Sequence, residues 1–335
     1  MTKTIERPGM LLPEIDDVTR REFLIGASGL LLLPAGCGNG EEAGNEASGE
    51  TRIVEHALGT TDVPMIPQRV VTLWEPALSA LVAVGMEPIA TVGDAAAEDY
   101  GLGTSAPPGF DFEDLEIVGA QGEPDLERIV ALEPDMIVGI SVLDEPVYEE
   151  LSQIAPTVSF DWGSGTGDWK GYFDRVVTAV GKEDEGQRFV EEYERRAAEL
   201  GEALGGRLES TEVSIVRVRP EAIRLEPNNS FAGIVAEDVG LPRPPAQDVA
   251  PEDQAIEISL ELLPDADGDV MFLMSIEDSQ DRMERLRSSP LWQQLDVVKQ
   301  DAVYTVDYGY WQGSNYYAAN VVLDDLEKYL VEGRP

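Results

Sequence analysis

One long amphipathic segment, residues 182–204, does most to determine the architecture that this chain can adopt. Its apolar side chains recur at intervals of four, four, three and four residues and line one face of a helix: Phe189, Tyr193, Ala197, Leu200 and Leu204. Glutamates and arginines fill the opposite face. About 23 helical residues, each rising about 1.5 Å, reach roughly 34 Å. A helix of that length can bridge two folded domains as a stiff connection.

Short β-rich runs alternate with helical segments on both sides of this helix, from residue 51 onward. Such alternation is typical of an α/β fold. Strands are predicted at Arg52–Ala57, Val70–Leu73, Pro88–Val92, Met136–Gly139, Thr157–Phe160, Val213–Val218, Val270–Met274 and Ala302–Val306. Helices are predicted at Pro76–Val84, Asp125–Leu132, Glu145–Ile154, Phe231–Val239, Ser259–Leu263, Gln280–Arg287 and Tyr317–Leu330.

The two halves of the chain share one sequence element. An acidic tripeptide that ends at Glu127 precedes the apolar run that begins at Asp135, and a similar tripeptide that ends at Glu261 precedes the run that begins at Asp269. Both spacings between the halves are 134 residues. Each unit is predicted to form a short helix, a turn with proline and a buried strand, so the halves are expected to be two similar α/β lobes.

The first forty residues carry two patterns of exported proteins. Arg20 and Arg21 stand before a short apolar segment, which resembles a twin-arginine export signal. Small residues before Cys37, the chain's single cysteine, resemble a lipoprotein processing site. The apolar run at residues 23–35 has 13 residues, and a transmembrane helix needs about 20. We therefore predict a cleaved signal, lipid on Cys37 and an extracytoplasmic chain anchored to a membrane.

Composition excludes several classes of function. The chain has 65 acidic and 24 basic residues, a net charge of −41, which repels nucleic acid and anionic lipid surfaces and attracts a cationic partner. Adaptation to salt is an alternative source of much of this charge. His56 is the only histidine and is interpreted as an ordinary strand residue. A single histidine and a single cysteine argue against capture of a bare transition metal, so no metal site is predicted.

Three stretches resemble the periplasmic substrate-binding proteins of ABC importers for iron-siderophores, haem and cobalamin: Val70–Ile89, Asp125–Val138 and Ser289–Tyr304. The resemblance implies two Rossmann-like lobes with doubly wound sheets, joined by one long α-helix. Together with the export signal and a polar stretch without apolar periodicity after Cys37, it predicts a signal peptide at 1–36, a flexible tether at 37–50, an N-terminal lobe at 51–167, a connecting helical segment at 168–205 and a C-terminal lobe at 206–335.

In that family the ligand lies between the lobes, so the candidate ligand-binding residues follow strand ends at the facing edges. Aromatic rings offer flat apolar area to a large organic chelate, and arginines suit the anionic oxygens around ferric iron. The siderophore supplies all the iron ligands, so no resident cofactor is expected. The candidates are Trp74, Glu75, Trp162, Arg217, Arg219, Arg224, Tyr308, Tyr310, Trp311 and Asn315.

One acidic residue on each lobe of this family meets arginines of the membrane permease. Glu127 and Glu261, which the internal repeat also picks out, match those positions. The leading hypothesis is a lipid-anchored protein that captures a ferric siderophore and delivers it to an ABC importer.

Two rival functions stay open at this stage. One is a haem- or cobalamin-binding protein of the same fold. In the haem case, Tyr308 or Tyr310 could bind the haem iron. An exported hydrolase is disfavoured because the sequence has no Gly-x-Ser-x-Gly elbow and no plausible histidine base. We therefore expect a binding protein and not an enzyme.

Overall fold

A computed structural model describes residues 50–93, 102–107, 112, 115–163, 168–251 and 256–333. The predicted export signal with Arg20 and Arg21, the predicted lipid site Cys37 and residues 37–49 of the predicted tether lie outside the described residues. Of the helices that are described, none has the length and apolar character to cross a membrane.

The first half of the described chain contains nine strands and four α-helices. The strands are β1 Thr51–His56, β2 Gly59–Pro64, β3 Val70–Thr72, β4 Ala90–Thr91, β5 Glu116–Ile117, β6 Gly119–Ala120, β7 Glu123–Pro124, β8 Met136–Ile140 and β9 Thr157–Phe160. The helices are α1 Glu75–Ala83, α2 Leu126–Ala131, α3 Ser141–Asp144 and α4 Tyr148–Ile154, with short 3₁₀ turns at Leu102–Thr104 and Glu145–Val147.

Five of these strands form an all-parallel sheet, the N-terminal sheet, in the order β5-β4-β3-β8-β9. Every residue of β3, β8 and β9 is buried, as expected for parallel strands covered on both faces. Because the strands are parallel, their carboxyl ends share one edge of the sheet. Trp74 follows β3 and Trp162 follows β9, so both lie at that edge.

The first predicted strand does not join this sheet. β1 instead pairs with β2 in an antiparallel hairpin, in register from Thr51 opposite Pro64 to His56 opposite Gly59. The hairpin is attached to β9 by the Ala57 N–H, which donates to the Ser159 carbonyl at 3.0 Å. His56 is a half-buried residue of the hairpin, as the sequence predicts, and its Nε2 lies 3.2 Å from the Tyr148 hydroxyl.

Two helices connect the halves: α5 Trp169–Ala179 and α6 Glu183–Leu204. α6 confirms the long helix predicted at residues 182–204, with Lys182 as its N-cap residue. Aromatic side chains of three other helices pack around Trp169 of α5, whose ring centroid lies 4.7 to 6.4 Å from those of Tyr193, Phe231 and Tyr316. The apolar face of α6 is therefore buried in a core that both halves share.

The second half contains five strands and five α-helices. The strands are β10 Val213–Val218, β11 Ile223–Leu225, β12 Ile256–Ile258, β13 Val270–Ser275 and β14 Val303–Thr305. The helices are α7 Phe231–Val239, α8 Gln280–Ser288, α9 Asp296–Lys299, α10 Tyr308–Trp311 and α11 Tyr316–Leu326. Shorter turns are 3₁₀ helices at Gly205–Ser210, Leu260–Ala266, Glu277–Ser279 and Trp292–Gln294, and a π-helix at Glu327–Val331.

These strands form the C-terminal sheet, in the order β12-β11-β10-β13-β14. β10, β13 and β14 are parallel to one another, whereas β11 is antiparallel to both of its neighbours, β10 and β12. The turn from β10 to β11 is tight, with the Arg219 N–H donating to the Ala222 carbonyl at 2.9 Å, and so short a turn joins only antiparallel strands. The α/β fold of two lobes with one long connecting helix is thus confirmed, and the C-terminal sheet carries an antiparallel edge in addition.

The internal repeat seen in the sequence is also a structural repeat. The Asp135 carboxylate accepts hydrogen bonds from the backbone N–H groups of Gln68 and Arg69, at 2.7 and 2.9 Å, just before β3. The Asp269 carboxylate accepts one from the Glu212 N–H, at 2.8 Å, just before β10. Each aspartate therefore fixes the entry of the first strand of its lobe.

Two helices predicted from the sequence differ from the structure. The segment predicted as Ser259–Leu263 is the 3₁₀ helix Leu260–Ala266, which contains Pro264. The segment predicted as Glu145–Ile154 is divided into a 3₁₀ turn, Glu145–Val147, and α4.

Candidate ligand-binding site

Two tryptophans lie together at the carboxyl edge of the N-terminal sheet. The rings of Trp74 and Trp162 meet edge to face, with 5.7 Å between their centroids, and Trp162 meets Tyr172 at 5.2 Å. Both indoles are partly exposed. The Trp74 Nε1–H is buried and has no hydrogen-bond acceptor among the described residues. The pair therefore offers apolar ring area to a ligand.

Glu75 begins α1 directly after Trp74. Burial raises the pKa of its carboxyl to about 7, and a hydrogen bond from the Gln121 side chain opposes that rise. At neutral pH this carboxyl is therefore divided between its neutral and charged forms. Gln121, which lies between β6 and β7, was not found from the sequence, because no pattern marks a partner 46 residues away.

Three arginines share one face of the C-terminal sheet. Arg217 of β10 lies directly opposite Arg224 of β11, and opposite residues of an antiparallel pair point to the same side. Arg219 stands two residues beyond Arg217 and continues that face. We call Arg217, Arg219 and Arg224 the arginine row. It lies near the end of β10, at the carboxyl edge of the parallel strands.

Each member of the arginine row has a carboxylate neighbour. Arg217 pairs with Glu226 at 2.7 Å, Arg219 with Glu221 at 2.9 Å and Arg224 with Glu257 at 4.0 Å. The Arg219 and Arg224 side chains are 31% and 30% exposed, but Arg217 is only 12% exposed. Arg219 and Arg224 are therefore the members best able to reach a ligand.

The Arg217–Glu226 pair is part of the interior. The Glu226 side chain is 1% exposed, and burial raises the pKa of its carboxyl although the nearby Arg217 guanidinium lowers it. Arg217 Nη1 also donates to Gln312 Oε1 at 2.8 Å. The sequence did not identify Glu226 or Gln312, since neither belongs to a motif.

The aromatic residues of α10 have different roles. The Tyr308 hydroxyl accepts a hydrogen bond from Arg219 Nη1 at 3.0 Å, which joins α10 to the arginine row. Tyr310 is partly exposed, and its hydroxyl lies 3.4 Å from the Gly103 carbonyl. Trp311 is fully buried and stacks on Phe272 with 4.7 Å between centroids, so it packs in the core, and its contact with a ligand stays a prediction.

Asn315 is the N-cap of α11. Its Oδ1 accepts from the Ala318 N–H at 3.0 Å, and its Nδ2 donates to the Thr104 carbonyl at 3.1 Å and to the Gly313 carbonyl. The side chain is thus 6% exposed and already holds three partners. Its structural role is to join α11 to the Leu102–Thr104 turn, and its contact with a ligand stays a prediction.

Glu127 and Glu261 are both exposed, each in the first turn of its short helix. A hydrogen bond from Ser259 is the first cause that lowers the pKa of the Glu261 carboxyl, which therefore remains charged at neutral pH. Within the described part of the chain, no group of three or more histidine, cysteine or acidic side chains is placed to hold a metal ion.

Comparison with known proteins places this architecture in a family. The model of the periplasmic binding protein family matches residues 77–308. This chain therefore belongs to the periplasmic binding protein family. A probable siderophore-binding lipoprotein of Bacillus subtilis, YfiY, is 31% identical over 321 residues, which are 90% of this chain and 95% of that protein.

A second curated protein and a solved structure are also similar to this chain. The Fe(3+)-citrate-binding protein YfmC of Bacillus subtilis is 28% identical over 286 residues, 84% of this chain and 87% of that protein. The crystal structure of Staphylococcus aureus SirA complexed with staphyloferrin B has a TM-score of 0.70 and 28% identity, and it covers 84% of this chain and 98% of that chain.

Proposed function

We propose that this chain captures a ferric siderophore between its lobes and delivers it to an ABC importer. The observation that carries the proposal is the arginine row, with Arg219 and Arg224 partly exposed on one sheet face in a chain whose net charge is −41. In so acidic a protein, two accessible guanidiniums at a sheet edge mark a place for anionic oxygens. Trp74 and Trp162 supply apolar surface for the organic part of the ligand, which the cationic arginine row does not provide.

The proposed ligand is an iron chelate and not bare iron. A chelate brings its own iron ligands, so the protein needs only to match its shape, its apolar surface and its negative oxygens. Relatives named for siderophores and ferric citrate support this chemistry. The proposal includes no catalytic step, and the ligand leaves unchanged.

Delivery to an importer needs export, a membrane anchor and a surface that binds the permease. Arg20 and Arg21 direct export, and lipid on Cys37 holds the chain at the outer side of a membrane. Glu127 and Glu261, one exposed on each lobe, bind basic residues of the permease. The lipoprotein name of the Bacillus relative supports the anchored location.

Tryptophan fluorescence of a soluble chain that begins at Gly38 tests the ligand. It is titrated with ferric hydroxamate, catecholate and citrate complexes, each beside its metal-free form, and with haem and cobalamin. We expect saturable quenching by one ferric chelate, because Trp74 and Trp162 border the site. Substituting Trp74→Phe is expected to reduce that quenching, whereas Trp292→Phe, in the core, serves as the control.

Either of two results would contradict the proposal. Saturation by haem or cobalamin alone would assign the chain to another ligand class. Absence of saturation with every ligand would leave the fold and the family and remove the proposed ligand.

A further inference from the structure

Three large apolar side chains are exposed on the two short helices that carry Glu127 and Glu261. Val130 on α2 is 54% exposed, and Leu260 and Leu262 on the 3₁₀ helix are 36% and 49% exposed. They are three of only eight such side chains in the part of the chain that the structure describes. A repeated combination of a carboxylate with exposed aliphatic groups indicates a surface for a partner.

The helices themselves are held firmly. Ile129 and Leu263, which lie 134 residues apart, are both fully buried. The Asp125 side chain caps α2 by accepting from the Arg128 N–H at 3.1 Å. Because each helix is anchored beneath, the aliphatic side chains above it are presented to solvent and cannot turn inward to the core.

On the N-terminal lobe the exposed surface continues into a groove of about 670 Å³ between α2 and α4. Its walls include the apolar side chains of Leu126, Val130 and Ile154. Two exposed glutamates, Glu133 and Glu150, also line it. An apolar floor with an acidic rim suits a segment that presents an aliphatic side chain between lysines or arginines.

We infer that Val130 with its groove and Leu260 with Leu262 form two apolar docking sites, into which the importer's membrane subunit inserts aliphatic side chains from basic segments. This inference rests on the proposed function, and it adds apolar contacts to the two glutamates. The acidic charge attracts and orients the basic partner, and burial of the aliphatic groups then supplies the affinity that exposed ion pairs lack.

The test uses the soluble chain and membrane vesicles from iron-limited source cells. The chain carries whichever of ferric citrate, a ferric hydroxamate or a ferric catecholate saturates the wild type, and vesicle binding is measured by sedimentation. The double variant V130T/L262N makes one exposed aliphatic side chain polar at each proposed site and nearly keeps side-chain size. The control variant I53N/V249T alters two exposed aliphatic residues elsewhere, 70% and 43% exposed. A second pair, E127Q/E261Q, removes only charge.

The inference predicts that V130T/L262N weakens vesicle binding about tenfold, the size of a modest interface hot spot, while chelate affinity and the control are unchanged. Wild-type binding by V130T/L262N, together with loss in E127Q/E261Q, would overturn it and leave the proposed function standing. If the wild type saturates with no chelate, the proposed function fails at the first step, before vesicles are added, and the inference fails with it.

Discussion

Glu75 shows how a single partly buried carboxyl couples this protein to pH. Its folded pKa of about 7 exceeds the ordinary value of 4.5 because burial disfavours the charged form. A raised pKa stabilises the fold fully only below the unfolded pKa, and that contribution is lost as the pH rises through about 7. Asp144, whose pKa burial raises to about 6, acts in the same direction.

We predict that Glu75→Gln becomes more stable relative to the wild type as the pH rises. Glutamine stays neutral, so the free energies of unfolding should be similar near about pH 5 and differ by about 1–3 kcal/mol in favour of the variant near about pH 8. Urea unfolding at both pH values measures this. A constant difference between variant and wild type at both pH values would show that Glu75 does not titrate as described.

Alanine substitutions at Arg217 and Arg219 are predicted to have different effects, although the two residues are only two positions apart. Arg217→Ala leaves buried Glu226 without its cation and should lower the free energy of unfolding by about 3 kcal/mol. Arg219→Ala should leave the midpoint of urea unfolding almost unchanged and weaken chelate binding about tenfold. Unfolding curves and the fluorescence titration of both variants check this. Equal stability loss in both variants would contradict the assignment of Arg217 to the interior.

The sequence proposes candidate site residues by their chain position, but it could not show which of them are buried in the core. Tyr310 and Trp311 are adjacent in one short helix, yet Tyr310 is partly exposed and Trp311 is buried against Phe272. Which way each ring points depends on packing between α10 and β13, and no local pattern records it. Glu226 and Gln312 were missed for the same reason.

At the scale of elements, Asp238 of α7 joins the connecting helix to its neighbours. Its carboxylate accepts from Lys170 Nζ of α5 at 2.6 Å and from the Tyr193 hydroxyl of α6 at 2.6 Å. Arg196 of α6 donates in addition to Asn320 and Asp324 of α11. These contacts fix α6 against α7 and α11 of the second half.

We predict that Asp238→Asn lowers the free energy of unfolding by about 1–3 kcal/mol, because Lys170 and Tyr193 lose a charged acceptor in a partly buried position. Thermal or urea unfolding measures the change. Arg195→Ala, which removes exposed ion pairs on the outer face of the same helix, is the matched control and should change stability little. A larger loss in the control than in Asp238→Asn would contradict the account.

Local periodicity predicted the elements better than their pairing. α6 and α7 match the predicted helices, and the repeat around Asp135 and Asp269 is present in the structure. The β1–β2 hairpin was missed because the predicted strands did not include β2. The antiparallel edge of the C-terminal sheet was missed because the predicted strands did not include β11 and β12.

For the whole molecule, the net charge of −41 sets the response to salt. Like charges on a compact surface repel one another, and added salt screens that repulsion. We predict that the melting temperature rises as KCl increases from about 0.1 M to about 1 M, over which the Debye length falls from about 10 Å to about 3 Å. Calorimetry or circular dichroism measures it, and a melting temperature that falls over this range would contradict self-repulsion as the dominant effect.

The central claim, capture of a chelate between the lobes with no iron ligand from the protein, is tested most directly by anomalous diffraction at the iron edge. Crystals are grown with the ferric chelate that saturates the soluble chain. The account predicts one iron peak between the Trp74–Trp162 pair and the arginine row, with chelate atoms alone in the iron's coordination shell. Iron bound by a side chain such as His56 or Tyr308, or a peak outside the space between the lobes, would contradict it.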